Sequence, residues 1–145
     1  MTTNDEIIAL ETELMSLIHR SRVNARDMAR EVDPRLEPTA YPLVVTLAYG
    51  EPQRVSELAM ALYLDKSTVS RQIDGLARLG LVERLPDPDD ARARLVTLTT
   101  EGKNIISEQQ ERRYERTREV LHRWRDGDVR ELTRLLRQAL ETGLF

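Results

Sequence analysis

Lys66, Ser67, Thr68, Ser70, Arg71, Asp74 and Arg78 recur at spacings that put them on one side of a helix, opposite Val69, Ile73 and Leu76. Serine and threonine hydroxyls can bond a base edge or a phosphate. An arginine can grip guanine with two parallel bonds, and Lys66 beside a helix start suits a phosphate. A second basic group follows, Arg92 and Arg94, on a connection between two alternating segments, where a guanidinium could enter a narrow minor groove. Asp90, two residues earlier, stands where it could bond Arg92 and fix its orientation. Each group has a plainer reading. The first is also the solvated face of any amphipathic helix, and the second is also a surface turn in which Arg92 neutralises nearby acids.

Other chemistries find little support. The 145 residues contain no cysteine, which removes disulfides, thiol nucleophiles and thiolate metal sites together and suits a reducing cytosol. No Gly-rich phosphate loop and no Gly-x-Ser-x-Gly turn occurs, so an enzyme is the least supported class and no cofactor is expected. His19 and His122 are the only histidines and lack converging carboxylates, so no metal site is expected. With 22 Lys+Arg against 25 Asp+Glu the net charge is -3, so any affinity for nucleic acid must come from local arrangement rather than a global field. The first ten residues are polar and acidic, and no apolar run approaches the roughly 20 residues that span a bilayer. A cytoplasmic, unanchored single domain over 1–145 is expected.

The elements that must position these side chains can be read from the pattern. Thr3 and Glu6 have the spacing of a capping box, and behind them Ile7, Leu10, Leu14, Leu17, Ser21, Asn24 and Met28 form a narrow seam that ends near Asp33-Pro34. A short apolar helix is expected from Thr39 to Gly50, with Pro42 in its first turn. Ser56–Leu62 reads as another helix, Tyr63-Leu64 as a break, and Asp65 as the cap of the next, which stops at Gly80. Leu81–Leu85 and Leu95–Leu98 alternate as two strands joined by 86–93, longer than a tight hairpin turn. A charged helix then begins at Thr99-Thr100-Glu101 and carries Ile106, Tyr114, Thr117, Leu121 and Trp124 along one side. Asp126-Gly127-Asp128 breaks it, and Val129, Leu132, Leu136, Ala139 and Leu140 form the inner stripe of a last helix.

Taken together, Leu58-Ala59, Asp65–Arg71, Leu76–Val82, Asp87-Pro88-x-Asp90-x-Arg92 and Leu98-Thr99-x-x-Gly102 resemble the MarR family of winged-helix transcription regulators. The motif-bearing stretch is 54–103, and the flanking helices follow the family's order. The fold class is therefore mainly α with a small β wing: a winged helix-turn-helix at 39–98, and a helical dimerisation region at 1–38 and 99–145. The resemblance implies a two-fold homodimer knitted by the first and last helices on a pseudo-palindromic operator in double-stranded DNA, with repression commonly relieved by a small molecule. It implies Ser67, Thr68, Ser70 and Arg71 in the major groove, Arg92 in the minor groove, and Asp90 orienting Arg92. Two features depart from the family pattern. Tyr63 occupies a bend where a small residue is frequent, and 54–103 carries eight acidic against eight basic side chains, which predicts weak non-specific DNA binding.

A helix over 4–32 spans about 40 Å at 1.5 Å per residue, more than a small domain can cover, so a partner chain is expected to cover its seam. Tyr41, Tyr49 and Trp124 are candidates to line an effector pocket where the resemblance would place one, although such aromatics are more often core. The runner-up to a DNA-binding repressor is a winged-helix module that binds another protein, a co-regulator or antirepressor, suggested by the balanced charge.

Overall fold

A computed structural model describes residues 1–144, in two compact units, Met1–Ser107 and Glu108 onward. The elements run α1 (Asn4–Val32), a 3-10 turn (Pro38–Ala40), α2 (Tyr41–Tyr49), β1 (Gln53–Arg54), α3 (Val55–Leu62), α4 (Lys66–Arg78), β2 (Val82–Pro86), β3 (Arg94–Leu98), α5 (Thr100–Leu121) and α6 (Asp128–Glu141).

The expected capping box opens α1. Thr3 Oγ1 accepts the Glu6 amide at 3.3 Å, and the Glu6 carboxylate accepts the Thr3 amide at 2.7 Å. Asp33, extended ahead of Pro34, closes the helix. Only the last turns of α1 enter the core, through Met28, Ala29 and Val32. Ile7, Leu10 and Leu17 stay exposed, so most of the seam has no cover within its own unit. The next helix does not start at Thr39. Pro38 begins a 3-10 turn, and α2 starts at Tyr41 with Pro42 in its first turn.

Two helix ends set the bend between α3 and α4 and the entry to the sheet. At the end of α3 the Leu64 amide reaches back to the Ala59 carbonyl at 3.0 Å while Tyr63 takes the left-handed conformation, φ 54°. Gly80, φ 75°, does the same after α4, with Leu81 N–H bonded to Leu76 C=O at 3.0 Å. Both are the paired closure that favours glycine at the left-handed position. The departure at Tyr63 therefore leaves the turn intact, at a cost of about 1–2 kcal/mol for a side chain in that conformation.

The sheet has three strands rather than the two expected, in the order β1-β3-β2, all antiparallel. Gln53 pairs with Val96 and Arg54 with Leu95, while β2 pairs from Val82–Leu98 out to Pro86–Arg94. Pro86 is tolerated because β2 is an edge strand. Leu43, Val44, Leu58, Val69, Ile73, Leu76, Val96 and Leu98 bury their side chains together, so the helix-turn-helix and the sheet share one core.

In the second unit, Gly127 caps α6 as part of the expected break, but Asp128 is already its first residue, and α5 has stopped at Leu121 with Trp124 beyond it. The apolar stripe of α6 is not buried within its own unit. Val129, Leu132, Leu136 and Leu140 are 41–78% exposed, and no residue of α6 is buried.

Thr99 joins sheet to helix. Its amide donates to the Leu81 carbonyl at 3.0 Å, its hydroxyl donates to the Gly80 carbonyl at 2.6 Å, and the Gly102 amide donates to that hydroxyl at 3.0 Å. The α5 backbone thereby comes so close to Leu81 that a Cβ on Gly102 would lie 2.3 Å from the Leu81 carbonyl oxygen. Gly102→Ala is expected to destabilise the protein by about 1–3 kcal/mol, the usual range for overpacking a filled site. Urea unfolding of the variant beside the native chain measures it, and an unchanged midpoint would mean that the junction yields.

Candidate nucleic-acid interface

Burial of Val69, Ile73 and Leu76 leaves the opposite side of α4 to solvent, and Lys66, Ser67 and Arg71 are exposed there, with Thr68 and Ser70 half-buried at its margin. All five of these expected readers thus lie along the first two turns. Asp65 caps the helix: its carboxylate accepts the Thr68 amide at 2.9 Å, the Thr68 hydroxyl at 2.6 Å and the Ser67 hydroxyl. Those three bonds hold the Asp65 carboxyl far below the ordinary carboxylate range, the hydroxyl donors contributing most. Arg71 Nη2 lies 3.4 Å from Thr68 Oγ1.

The connection between β2 and β3 folds as a wing. The Asp87 amide donates to the Ala93 carbonyl at 3.4 Å and the Ala93 amide to the Asp90 carbonyl at 3.0 Å, which leaves Arg92 exposed near the tip and Arg94 exposed at the start of β3. Asp90 acts differently from the expectation. Its carboxylate accepts the backbone amide of Arg92 at 2.9 Å rather than bonding the guanidinium. Being two residues away, it closes a local turn, so it sets the course of the main chain that carries Arg92.

Two ion pairs fasten this wing. Asp87, 6% exposed, accepts Arg54 Nε at 2.5 Å through one carboxylate oxygen and the Asp89 amide at 2.8 Å through the other. Arg84 Nη2 on β2 meets Asp74 Oδ1 on α4 at 2.6 Å, which ties the wing strand to the helix carrying the polar face. Sequence reasoning assigned Asp87 and Arg54 no role. The Asp-Pro-Asp run at 87–89 marked a turn, but nothing local pointed from Asp87 to a partner 33 residues earlier.

A cavity of about 430 Å³ lies beside α4, bordered by Arg35, Thr39, Thr68, Arg71, Gln72 and Arg78 among others. Gln72 donates to the Thr39 carbonyl at 3.2 Å, while its Oε1 is buried without a hydrogen-bond partner. Tyr41, 8% exposed, belongs to the core cluster, Tyr49 is 58% exposed, and neither borders this cavity. Among the described residues no group of three or more His, Asp or Glu side chains could hold a metal, and no helix is long and apolar enough to cross a membrane.

Comparison with known proteins matches this arrangement. The sequence model of the MarR family fits residues 36–93, the stretch from just before α2 through the wing. The transcriptional regulator YxaD of Bacillus subtilis, described as an uncharacterized protein of the helix-turn-helix type, is 35% identical over 124 residues, 86% of this chain and 85% of YxaD. The multiple antibiotic resistance protein MarR of Escherichia coli is 44% identical over 52 residues, 36% of each chain. Among solved structures, a MarR transcriptional regulator from Methanosarcina mazei superposes with a TM-score of 0.74 at 24% identity, covering 94% of this chain and 97% of that one. The chain belongs to the MarR family. It is a DNA-binding transcription regulator with a winged helix-turn-helix, not an enzyme.

The Arg54–Asp87 pair makes the wing sensitive to acid. The Arg54 guanidinium first, and then the Asp89 amide, hold the Asp87 carboxyl below its ordinary value. Because the folded value lies below that of the unfolded chain, about 3.9, this contribution to stability is complete above that pH and is lost as pH falls through the folded value. Asp87→Asn is therefore expected to unfold at lower urea than the native chain at pH 6, with the gap narrowing as pH drops from about 4 to 2. A gap that stays constant across that range would remove the ionised pair as its cause.

Proposed function

We propose that this protein is a homodimeric repressor in the cytoplasm that binds a pseudo-palindromic operator and is released from it by a small molecule. The observation that carries the reading is the exposed polar edge of α4 beside a wing with Arg92 at its tip, joined through Arg84 and Asp74. Such a pair of devices suits a helix in the major groove and a guanidinium in the adjoining minor groove. Ser67, Thr68, Ser70 and Arg71 take base edges, Lys66 and Arg94 take phosphates, and Arg92 takes the minor groove, with Asp90 shaping the turn that presents it.

Two further observations support the remaining parts. The exposed apolar stripes of α1 and α6 suit burial against a second copy, which makes 1–38 and 99–145 the dimerisation region and sets two reading helices on one duplex. The cavity beside α4 is bordered by Thr68 and Arg71 themselves, so an occupant would compete for side chains that DNA needs. Arg71 and Arg78 at its edge favour a small anion there.

Both parts are open to direct measurement. Fluorescence anisotropy on the duplex upstream of the protein's own gene is expected to show Arg71→Ala and Arg92→Ala each weakening binding about 5- to 150-fold, the range of one good base contact. Unchanged affinity in both would remove α4 and the wing as the reading surface, and capture of a protein partner with no DNA preference would favour the interaction module instead. Sedimentation of Leu136→Asp is expected to give the 16.7 kDa single chain where the native protein gives twice that mass. A native protein that already sediments as a single chain would overturn the dimer.

A further inference from the structure

A serine or threonine hydroxyl normally discriminates poorly between bases, because it both donates and accepts and can rotate to suit either kind of edge. In this chain that freedom is restricted. The Ser67 and Thr68 hydroxyls are both bonded to the Asp65 carboxylate, with the Thr68 amide as its third partner. An ionised carboxylate has no proton to give, so in each of these bonds the hydroxyl is the donor. Asp65 stays ionised at any pH at which the protein would meet DNA, since the same three donors hold its carboxyl far below the ordinary range.

We propose that Asp65 sets the polarity of the reading edge of α4: it commits the Ser67 and Thr68 protons, leaves both oxygens as acceptors, and so makes the protein select adenine or cytosine on the strand they face. Adenine N6 and cytosine N4 present amino donors in the major groove, whereas thymine O4 and guanine O6 present acceptors. Against a keto oxygen the hydroxyl would meet lone pair with lone pair, or would have to surrender a charge-assisted bond, roughly twice as strong as a neutral one. Ser67 is the better placed of the two, because Arg71 Nη2 approaches the Thr68 oxygen at 3.4 Å and occupies part of its accepting capacity. This inference rests on the reading that α4 enters the major groove, but it adds a residue that itself touches no base and decides which base is chosen.

The test is in vitro selection from a random duplex library with the full-length native protein, Ser67→Ala, Thr68→Val and Asp65→Asn, with thermal unfolding of each run in parallel. Asparagine keeps a carbonyl oxygen where Oδ2 accepts both the Thr68 amide and the Ser67 hydroxyl, hence the cap, but puts its NH₂ where Oδ1 accepts the Thr68 hydroxyl, which must then turn round. Ser67→Ala or Thr68→Val should flatten one position of the half-site, and at that position the native protein should favour adenine or cytosine about tenfold over thymine and guanine. Asp65→Asn should keep the rest of the half-site and lose or reverse the preference at a position that answers to Thr68, while leaving one that answers to Ser67 as it was. A keto base favoured there by the native protein, a preference unchanged in both Asp65→Asn and Asp65→Ser, or no position responding to either hydroxyl variant would each overturn the proposal. Asp65→Ser, another capping residue without charge, has a single oxygen that cannot hold the Thr68 amide and both hydroxyls at once, so it should weaken the preference at a Ser67 position as well, and it serves also if Asp65→Asn fails to fold. If Arg71→Ala also leaves the selected sequence unaltered, it is the placement of α4 in the groove that fails.

Discussion

The rotation of α4 about its own axis governs which of its side chains can be presented to a duplex. Three side chains fix it. Val69, Ile73 and Leu76 are almost wholly buried against the core shared by α2, α3 and β3, and their spacing of four and three residues defines a single inward line. A helix turns by about 100° per residue, so a slip of one position would expose part of that line and carry Ser67 and Arg71 away from the outward edge. Burial of these side chains, at roughly 1.5–3 kcal/mol each, holds the polar edge in place far more firmly than any bond on the edge itself.

The wing is held by different means. Its strands contribute Val96 and Leu98 to the core, but residues 88–92 of the connection are exposed. Order there comes from carboxylates. Asp87 fixes the base through Arg54 and the Asp89 amide, and Asp90 fixes the tip through the Arg92 amide. This explains why a stretch with so many acidic residues sits in a protein that binds a polyanion. Both acids are engaged within the wing, Asp87 buried against Arg54 and Asp90 bonded to the Arg92 amide, while Asp89 and Asp90 stay exposed beside Arg92.

Much of this was legible in the sequence because the signals are local. The Thr3–Glu6 box, the Asp65 cap, the left-handed glycine at Gly80 and the inward line of α4 each need only a few neighbouring residues to be recognised. Signals that depend on distant partners were not legible. Strand β1 is two residues long and exists only because Gln53 and Arg54 pair with β3, and the Asp87 partner is set by that same pairing. Asp90 was read as a side-chain partner of Arg92, since spacing alone does not say whether a carboxylate will take a guanidinium or an amide. The stripe of α6 has the period of a core helix, and periodicity cannot distinguish an inner face from one left open on the chain's own surface.

Tyr63 shows what such a fold can store. Its ring is 97% exposed, so it gains almost nothing from burial, while its backbone holds a conformation that glycine adopts without cost. The bend thus carries a small reserve of unspent stability immediately ahead of the proposed reading edge of α4. A lineage that needed a new operator could draw on it: one substitution in the turn would release enough free energy to tolerate a destabilising change on α4, leaving the core untouched.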